Sequence, residues 1–164
     1  MKIKVGFGFD VHQLKDGLDF WLGGIIVLHT KGGLGHSDAD VLIHSICDAL
    51  LGAAGAGDIG EFFPDDDMQY KNIDSTVLLS KIVSFINNVG YEIVNIDLTI
   101  IAQKPKINPY KIQIKSKIAL LLDIPMQFVN IKATTSEKLG FIGRSEGVAV
   151  QSIATLKFYD WKNR

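Results

Sequence analysis

The stretch HSDADVLIHSICDALLGAAGAG, residues 36–57, decides the fold. Ser37 can cap a helix, and Asp40 three residues on makes an acidic variant of the capping box. Val41, Leu42, Ile43, Ile46, Leu50 and Leu51 then make that helix apolar on most sides. A helix of this kind is largely buried, so a second layer has to cover it. It dissolves into the glycine- and alanine-rich run 52–57.

The rest of the chain supplies that layer. Upstream, Lys2 to Phe9 reads as a strand, with a polar turn around Lys15, Asp16 and Gly17. Phe20 to Leu28 reads as a second strand interrupted at Gly23-Gly24, and a glycine-rich loop spans 32–36. Downstream, the polar and acidic run 61–73 reads as a mobile loop. A helix fits Ser75 to Val89, with Gly90 as its stop. Val94, Ile96, Leu98, Ile100 and Ala102 alternate with polar positions, as in a half-buried strand. Pro109 can open a third helix, with Ile112, Ile118, Leu121 and Leu122 inward. Two further strands fit Phe128 to Thr135 and Val148 to Tyr159. The expectation is one α+β domain over 1–164, a two-layer sandwich of a mixed β-sheet with helices on one face.

Composition narrows the function. The chain has 164 residues, 47% hydrophobic and 21% charged, with a net charge of −1. That balance argues against a nucleic-acid footprint or an anionic membrane surface. No apolar run reaches the roughly 20 residues that span a bilayer. Cys47 is the sole cysteine, which rules out a disulfide within the chain. The beginning of the chain reads straight into a strand, without the apolar segment of a signal peptide or the Arg/Ser bias of a transit peptide. A cytoplasmic location is expected, with a plastid-type organelle as the alternative if a presequence has been removed.

Four histidines bound the search for chemistry. His29, at a strand end, has no polar company and is given no role. Asp10 and His12 stand at i and i+2 of an extended segment, so both side chains point to one side and can share an ion. His44 lies within the apolar helix, with Asp48 four residues on and on the same face. Burying both on one stripe is costly without a reason. Asp48 could take the second ring N–H of a metal-bound His44, or bind a substrate hydroxyl. A core histidine satisfied by one hydrogen bond stays open as the alternative. Asp10, His12 and His44 together give one oxygen and two nitrogens, the layout of a catalytic zinc site with an open fourth position. Three further segments carry polar chemistry. Lys132 to Phe141 ends a strand in hydroxyls and Glu137, which suits phosphate oxygens and a hard cation, or else a solvated turn. Ala102 to Ile107 is a strand running into a basic turn. Asp58 to Asp67 is an acidic, glycine-containing loop that could bind a polyol.

GFDVH, HSDADVLIH followed by DALLGAAGAGDIG, FFPD, TIIAQKPKI and KATTSEKLGFIGR occur in that order. These motifs, spread from Gly8 to Gly147, resemble those of the 2-C-methyl-D-erythritol 2,4-cyclodiphosphate synthases of non-mevalonate isoprenoid biosynthesis. The resemblance implies a homotrimer with active sites at subunit interfaces. It implies Zn²⁺ on Asp10, His12 and His44, and Mg²⁺ or Mn²⁺ served by Glu137. It implies that Asp10, His12, His36, Ser37, Asp48, Asp58, Ile59, Gly60, Phe63, Pro64, Asp65, Asp66 and Asp67 surround a methylerythritol phosphate. Ala102, Gln103, Lys104, Pro105, Lys106, Ile107 and Asn108, with Thr134, Thr135, Ser136 and Glu137, would hold cytidine and diphosphate. His36 and Thr135 match positions that stabilise the transition state. Phe141 and Arg144 match residues near the site and the trimer channel, where Gln151 stands in place of a frequent glutamate. The implied reaction turns a CDP-sugar-alcohol 2-phosphate into a cyclic diphosphate and CMP. Two rivals stay open: a metal-dependent phosphodiesterase that uses water, and a nucleotide-binding module without turnover.

Overall fold

Two glycines bring the helix and the first strand together. In the computed structural model, which describes residues 2–64, 68–70 and 73–158, the long first strand β1 (Ile3–Asp16) lies against the first helix α1 (Val41–Ala54). A Cβ on Gly6 would fall 2.0 Å from the Ala49 carbonyl oxygen, and one on Gly8 would fall 1.9 Å from that of Ser45. Only glycine allows so close an approach. The other elements follow as β2 (Phe20–Trp21), β3 (Ile26–Val27), β4 (Lys31–Leu34), α2 (Ile59–Phe62), α3 (Ser75–Asn88), β5 (Tyr91–Ile101), α4 (Lys111–Leu122), β6 (Val129–Thr134), α5 (Gly140–Gly143) and β7 (Gly147–Phe158).

The main sheet runs β4-β1-β7-β5-β6. It is mixed: β5 and β6 are parallel and the other pairs antiparallel. Helices cover one face, where Leu42, Ile46, Leu50, Leu79, Ile82, Ile86, Ile114 and Ile118 meet Ile96, Leu98, Ile100, Val150 and Leu156 in one core. On β1 the pleat sends Gly6, Gly8, Asp10, His12 and Leu14 towards α1, while Ile3, Val5, Phe7, Phe9 and Val11 point away and are exposed.

Several expectations need correction. Phe20 to Leu28 is not one strand. Gly23 and Gly24 adopt φ of 67° and 76°, and Leu22 N–H bonds the Ile25 carbonyl at 2.9 Å, so the chain reverses in a tight hairpin between β2 and β3. The cap of α1 is Asp40, not Ser37. Its fully buried carboxylate accepts from the amides of Gly23, Gly24, Leu42 and Ile43 at 2.7–3.1 Å. It thus caps the helix and pins the hairpin, a second duty that outcompetes the serine. Ile112 is 76% exposed, because the phase of α4 turns Ile114 inward instead. Within the run 61–73, Phe62 ends α2 and stacks edge-on with Phe85, and Phe63 does so with Tyr70. Asp65, Asp66 and Asp67 lie outside the described residues, as does Tyr159.

Candidate metal centre and its pocket

Asp10 and His12 sit on the inward face of β1, and α1 places His44 directly over them. Asp10 Oδ2 is 3.0 Å from His12 Nε2 and 3.2 Å from His44 Nδ1, and the two ring nitrogens are 3.1 Å apart. Among the described residues these three form the group of His, Cys, Asp or Glu side chains close enough to share an ion. The spacing fits a metal well. Three corners of a tetrahedron around an ion about 2.0–2.1 Å away stand roughly 3.3 Å apart.

The protons fit as well. His12 Nδ1 lies 3.2 Å from the Leu34 carbonyl, which only accepts, so Nδ1 carries the proton and Nε2 turns its lone pair inward. That lone pair faces a carboxylate oxygen, and such a pair calls for a cation between them. The electrostatics agree. Burial pushes the Asp10 carboxyl up, but hydrogen bonds and charge from His12 and His44 outweigh it and lower it to about 2. Burial pushes His12 down, and the bond to Asp10 more than offsets this, raising it above its ordinary value. The site is built to hold positive charge.

A cavity of about 360 Å³ opens over the three groups, within the range of small-ligand sites. The candidates Asp10, His12, His36, Ser37, His44, Asp48, Ile59, Gly60 and Phe63 line it, together with Leu34, Gly35, Tyr70, Ile73 and Leu78, which were not among the candidates. Asp58 is not at the wall. It caps α2 by accepting from Glu61 N–H at 3.0 Å, and Pro64 is likewise outside the lining. Asp48 does not take the second nitrogen of His44. Its carboxylate accepts Ile59 N–H at 2.8 Å, and burial raises its pKa, with that N–H pulling the other way. It therefore anchors α2 and leaves its other oxygen available to the pocket. His44 Nε2 instead meets the hydroxyls of Ser37 and Ser75, each at 3.0 Å. Ser75 was missed because nothing in a helix-opening serine announces a partner 31 residues upstream. His29 packs beside Phe20, and its Nε2 has no hydrogen-bond partner among the described residues.

The remaining candidates gather elsewhere. Ala102 N–H bonds the Thr134 carbonyl at 3.0 Å, and Gln103 Oε1 accepts Lys138 N–H at 3.0 Å, so 102–108 and 134–138 form one cluster past the ends of β5 and β6. Lys104, Lys106 and Asn108 are exposed there, while Ala102 and Ile107 are buried and offer only backbone. Thr135 Oγ1 donates to Glu137 at 3.1 Å, and the Ser136 hydroxyl donates to Leu139 O at 2.7 Å. Glu137 and Lys138 adopt φ of 54° and 66°, costly for non-glycine residues and typical of functional turns. Exposed Phe141 packs beside Gly147. Arg144 forms a bidentate pair with Glu146 at 2.9 and 3.0 Å, so its charge is met by a neighbour other than position 151. The register aligns Val11, Ala149, Ile101 and Thr134 across the sheet. The two clusters therefore share one end of the sheet but stand about 14 Å apart, three strand spacings.

A mixed five-stranded sheet with a strand-borne Asp-x-His, a helical histidine and an open pocket defines an α+β domain with a potential divalent-metal site. Residues 3–157 match the model of the YgbB family, and the chain belongs to that family, the 2-C-methyl-D-erythritol 2,4-cyclodiphosphate synthases it resembles in sequence. It is 69% identical over 159 residues to the bifunctional enzyme IspD/IspF of Aliarcobacter butzleri, matching 97% of this chain but 42% of that protein. The chain thus spans less than half the length of that relative. It is 58% identical over 149 residues to the 2-C-methyl-D-erythritol 2,4-cyclodiphosphate synthase of Bacteroides fragilis, covering 91% of this chain and 94% of that one. The solved CDP complex of IspF from Plasmodium falciparum superposes with a TM-score of 0.85 at 33% identity, over 96% of this chain and 97% of that one. Among the described residues, no helix is long and apolar enough to cross a membrane.

Proposed function

We propose that the chain converts 4-diphosphocytidyl-2-C-methyl-D-erythritol 2-phosphate into 2-C-methyl-D-erythritol 2,4-cyclodiphosphate and CMP. The observation that carries this reading is the open triangle of Asp10, His12 and His44 at the floor of a polyol-sized pocket. The CDP complex of the Plasmodium relative and the named synthase of Bacteroides support it. The substrate's 2-phosphate attacks its own β-phosphorus, and CMP leaves with the bridging oxygen. No protein nucleophile is required, in keeping with a Cys47 thiol that burial pushes up and holds neutral.

The residues divide the work by position. Asp10, His12 and His44 would hold Zn²⁺, which supplies a Lewis acid for a phosphoryl oxygen when bound. Glu137, beside the Thr135 hydroxyl, would serve Mg²⁺ or Mn²⁺ at the diphosphate. Asp48 and the pocket wall at Ile59, Gly60 and Phe63 orient the methylerythritol. His36, exposed at the rim, and Thr135 meet the charge that develops on the transferred phosphoryl group. Holding nucleophile and phosphorus in line and keeping water away is most of the catalysis such a reaction needs.

The same reading makes the assembly a homotrimer. The metal pocket and the 102–108/134–137 cluster stand too far apart within one chain to grip one diphosphate. The outward residues of β1, with Phe7 at 60% exposure, form an apolar stripe of the kind that marks an interface. A cyclic trimer would cover that stripe and bring one chain's pocket to its neighbour's cluster. The test is turnover followed by ³¹P NMR with Mg²⁺ and Zn²⁺ present. The expected result is CMP with a cyclic diphosphate. Formation of the open bisphosphate would point to a phosphodiesterase, and CDP binding without turnover to a binding module.

A further inference from the structure

We infer that Asp38 and Ser75 are positioning residues for His44: they fix which ring nitrogen carries the proton, and so which one is presented to the metal. The inference rests on the metal-site reading above but not on the cyclisation. Neither residue belongs to the metal triangle. Both sit where the loop before α1 meets the start of α3.

The argument runs from the carboxylate outward. Asp38 accepts Ser75 N–H at 3.0 Å on one oxygen, and on the other it accepts Asp40 N–H at 3.2 Å and a short bond from the Ser75 hydroxyl. An ionised carboxylate only accepts, so the Ser75 hydroxyl must point its single proton at Asp38. What Ser75 Oγ then offers His44 Nε2, 3.0 Å away, is a lone pair. Nε2 must therefore be the protonated nitrogen of the neutral ring. Nδ1 is left bare, and Nδ1 is the atom that faces Asp10 and His12 at 3.2 and 3.1 Å. A metal-bound histidine commonly has its other nitrogen held by a carboxylate or carbonyl. Here the carboxylate acts through one intervening, fully buried hydroxyl.

Ser37 touches the same nitrogen at 3.0 Å, yet it has no carboxylate behind it. Its oxygen accepts Ala39 N–H at 3.2 Å and lies 3.3 Å from Ser75 Oγ. Its proton is not committed, so it cannot set the tautomer. Asp38 also binds the pocket wall, since its own N–H donates to the Ile73 carbonyl at 3.2 Å. One residue thus ties the ligand histidine and the first turn of α3 through its side chain, and a residue lining the cavity through its backbone.

The experiment uses the full chain labelled with ¹⁵N-histidine, metal-free and at a pH where the rings are neutral. Long-range ¹H–¹⁵N spectra report the tautomer of each of the four rings. His44 is expected as the Nε2–H form in the unmodified chain and as a mixture in Ser75→Ala. Zinc affinity by chelator competition should fall about 10- to 100-fold in Ser75→Ala, recover in Ser75→Thr, and change less than about threefold in Ser37→Ala. A protein whose His44 carries its proton on Nδ1 overturns the inference without any variant being needed. So does a Ser75→Ala chain that keeps both tautomer and zinc affinity, or a Ser37→Ala chain that loses as much as Ser75→Ala. Failure of the unmodified chain to bind zinc would overturn the metal-site reading with it. Absence of cyclic product would overturn only the proposed reaction.

Discussion

Replacing Gly8 by alanine should separate the metal ligands while leaving their identities untouched. The added Cβ would lie 1.9 Å from the Ser45 carbonyl oxygen and 2.7 Å from Ala49 N. Ordinary contact begins near 3.4 Å, so α1 must withdraw by about 1.5 Å at the residue next to His44. Zinc sites tolerate roughly 0.2 Å in ligand distance, and a shift several times larger breaks the triangle. Zinc affinity should fall by more than the roughly 10- to 100-fold that losing an outer partner costs. Overpacking of this kind costs about 3 kcal/mol, or roughly 6–12 °C in Tm for a chain of this size. Gly52→Ala is the control: its Cβ would meet nothing closer than 3.8 Å inside a helix, and it should stabilise by up to about 1 kcal/mol. Thermal melts of the metal-free chains and zinc titrations make the comparison. If Gly8→Ala melts and binds zinc like the unmodified chain, close glycine packing does not set the ligand spacing.

Three other outcomes follow from the same geometry. Asp40→Ala removes a helix cap and leaves the Gly23 and Gly24 amides without their acceptor, so it should cost about 3 kcal/mol or more in denaturant unfolding; a loss below about 1 kcal/mol would show that the hairpin is pinned otherwise. Because Asp10 raises the His12 pKa above 6.5 while His12 and His44 lower that of Asp10 from 3.8 to about 2, this pair's contribution to the metal-free fold is fully present between pH 3.8 and pH 6.5, is lost as pH rises through the raised His12 value, and is lost again as pH falls towards 2. Protons compete with the metal for His12, so the gain in Tm from zinc should grow from about pH 6 to about pH 8, and a gain that stays flat would contradict this. In a cyclic trimer, His44→Ala and Glu137→Ala should each be inactive alone, yet co-refolding them 1:1 should restore about a quarter of the interfaces; mixed trimers as inactive as the parents would place the whole site within one chain.

Much of this molecule is legible in its sequence, and the gaps have physical causes. The all-round apolar pattern of 41–51 marks the buried helix, and the i, i+2 relation of Asp10 and His12 marks one face of a strand. Those two patterns bring the three candidate ligands together, because α1 packs on the sheet and turns one nitrogen of His44 towards Asp10 and His12. What failed were contacts between distant segments. Asp40 outranked Ser37 because its partners, Gly23 and Gly24, lie 17 and 16 residues upstream. Asp48 and His44 share a helix face, yet a neighbouring amide claims the carboxylate and two serines claim the ring. The hairpin at 23–24 was written in two adjacent glycines and was readable as a turn. Ile112 shows the limit of periodicity where one residue's phase decides between core and solvent.

The most direct test of the account is the fate of solvent oxygen. Turnover of 4-diphosphocytidyl-2-C-methyl-D-erythritol 2-phosphate in H₂¹⁸O, with products read by mass spectrometry, separates internal attack from hydrolysis. In the proposed reaction the nucleophilic oxygen comes from the substrate's 2-phosphate, and CMP departs with the bridging oxygen. Both the cyclic diphosphate and CMP should therefore be free of ¹⁸O, and loss of the metal triangle by His44→Ala should abolish both. Incorporation of ¹⁸O into CMP or into an open methylerythritol bisphosphate would show that water is the nucleophile and contradict the account.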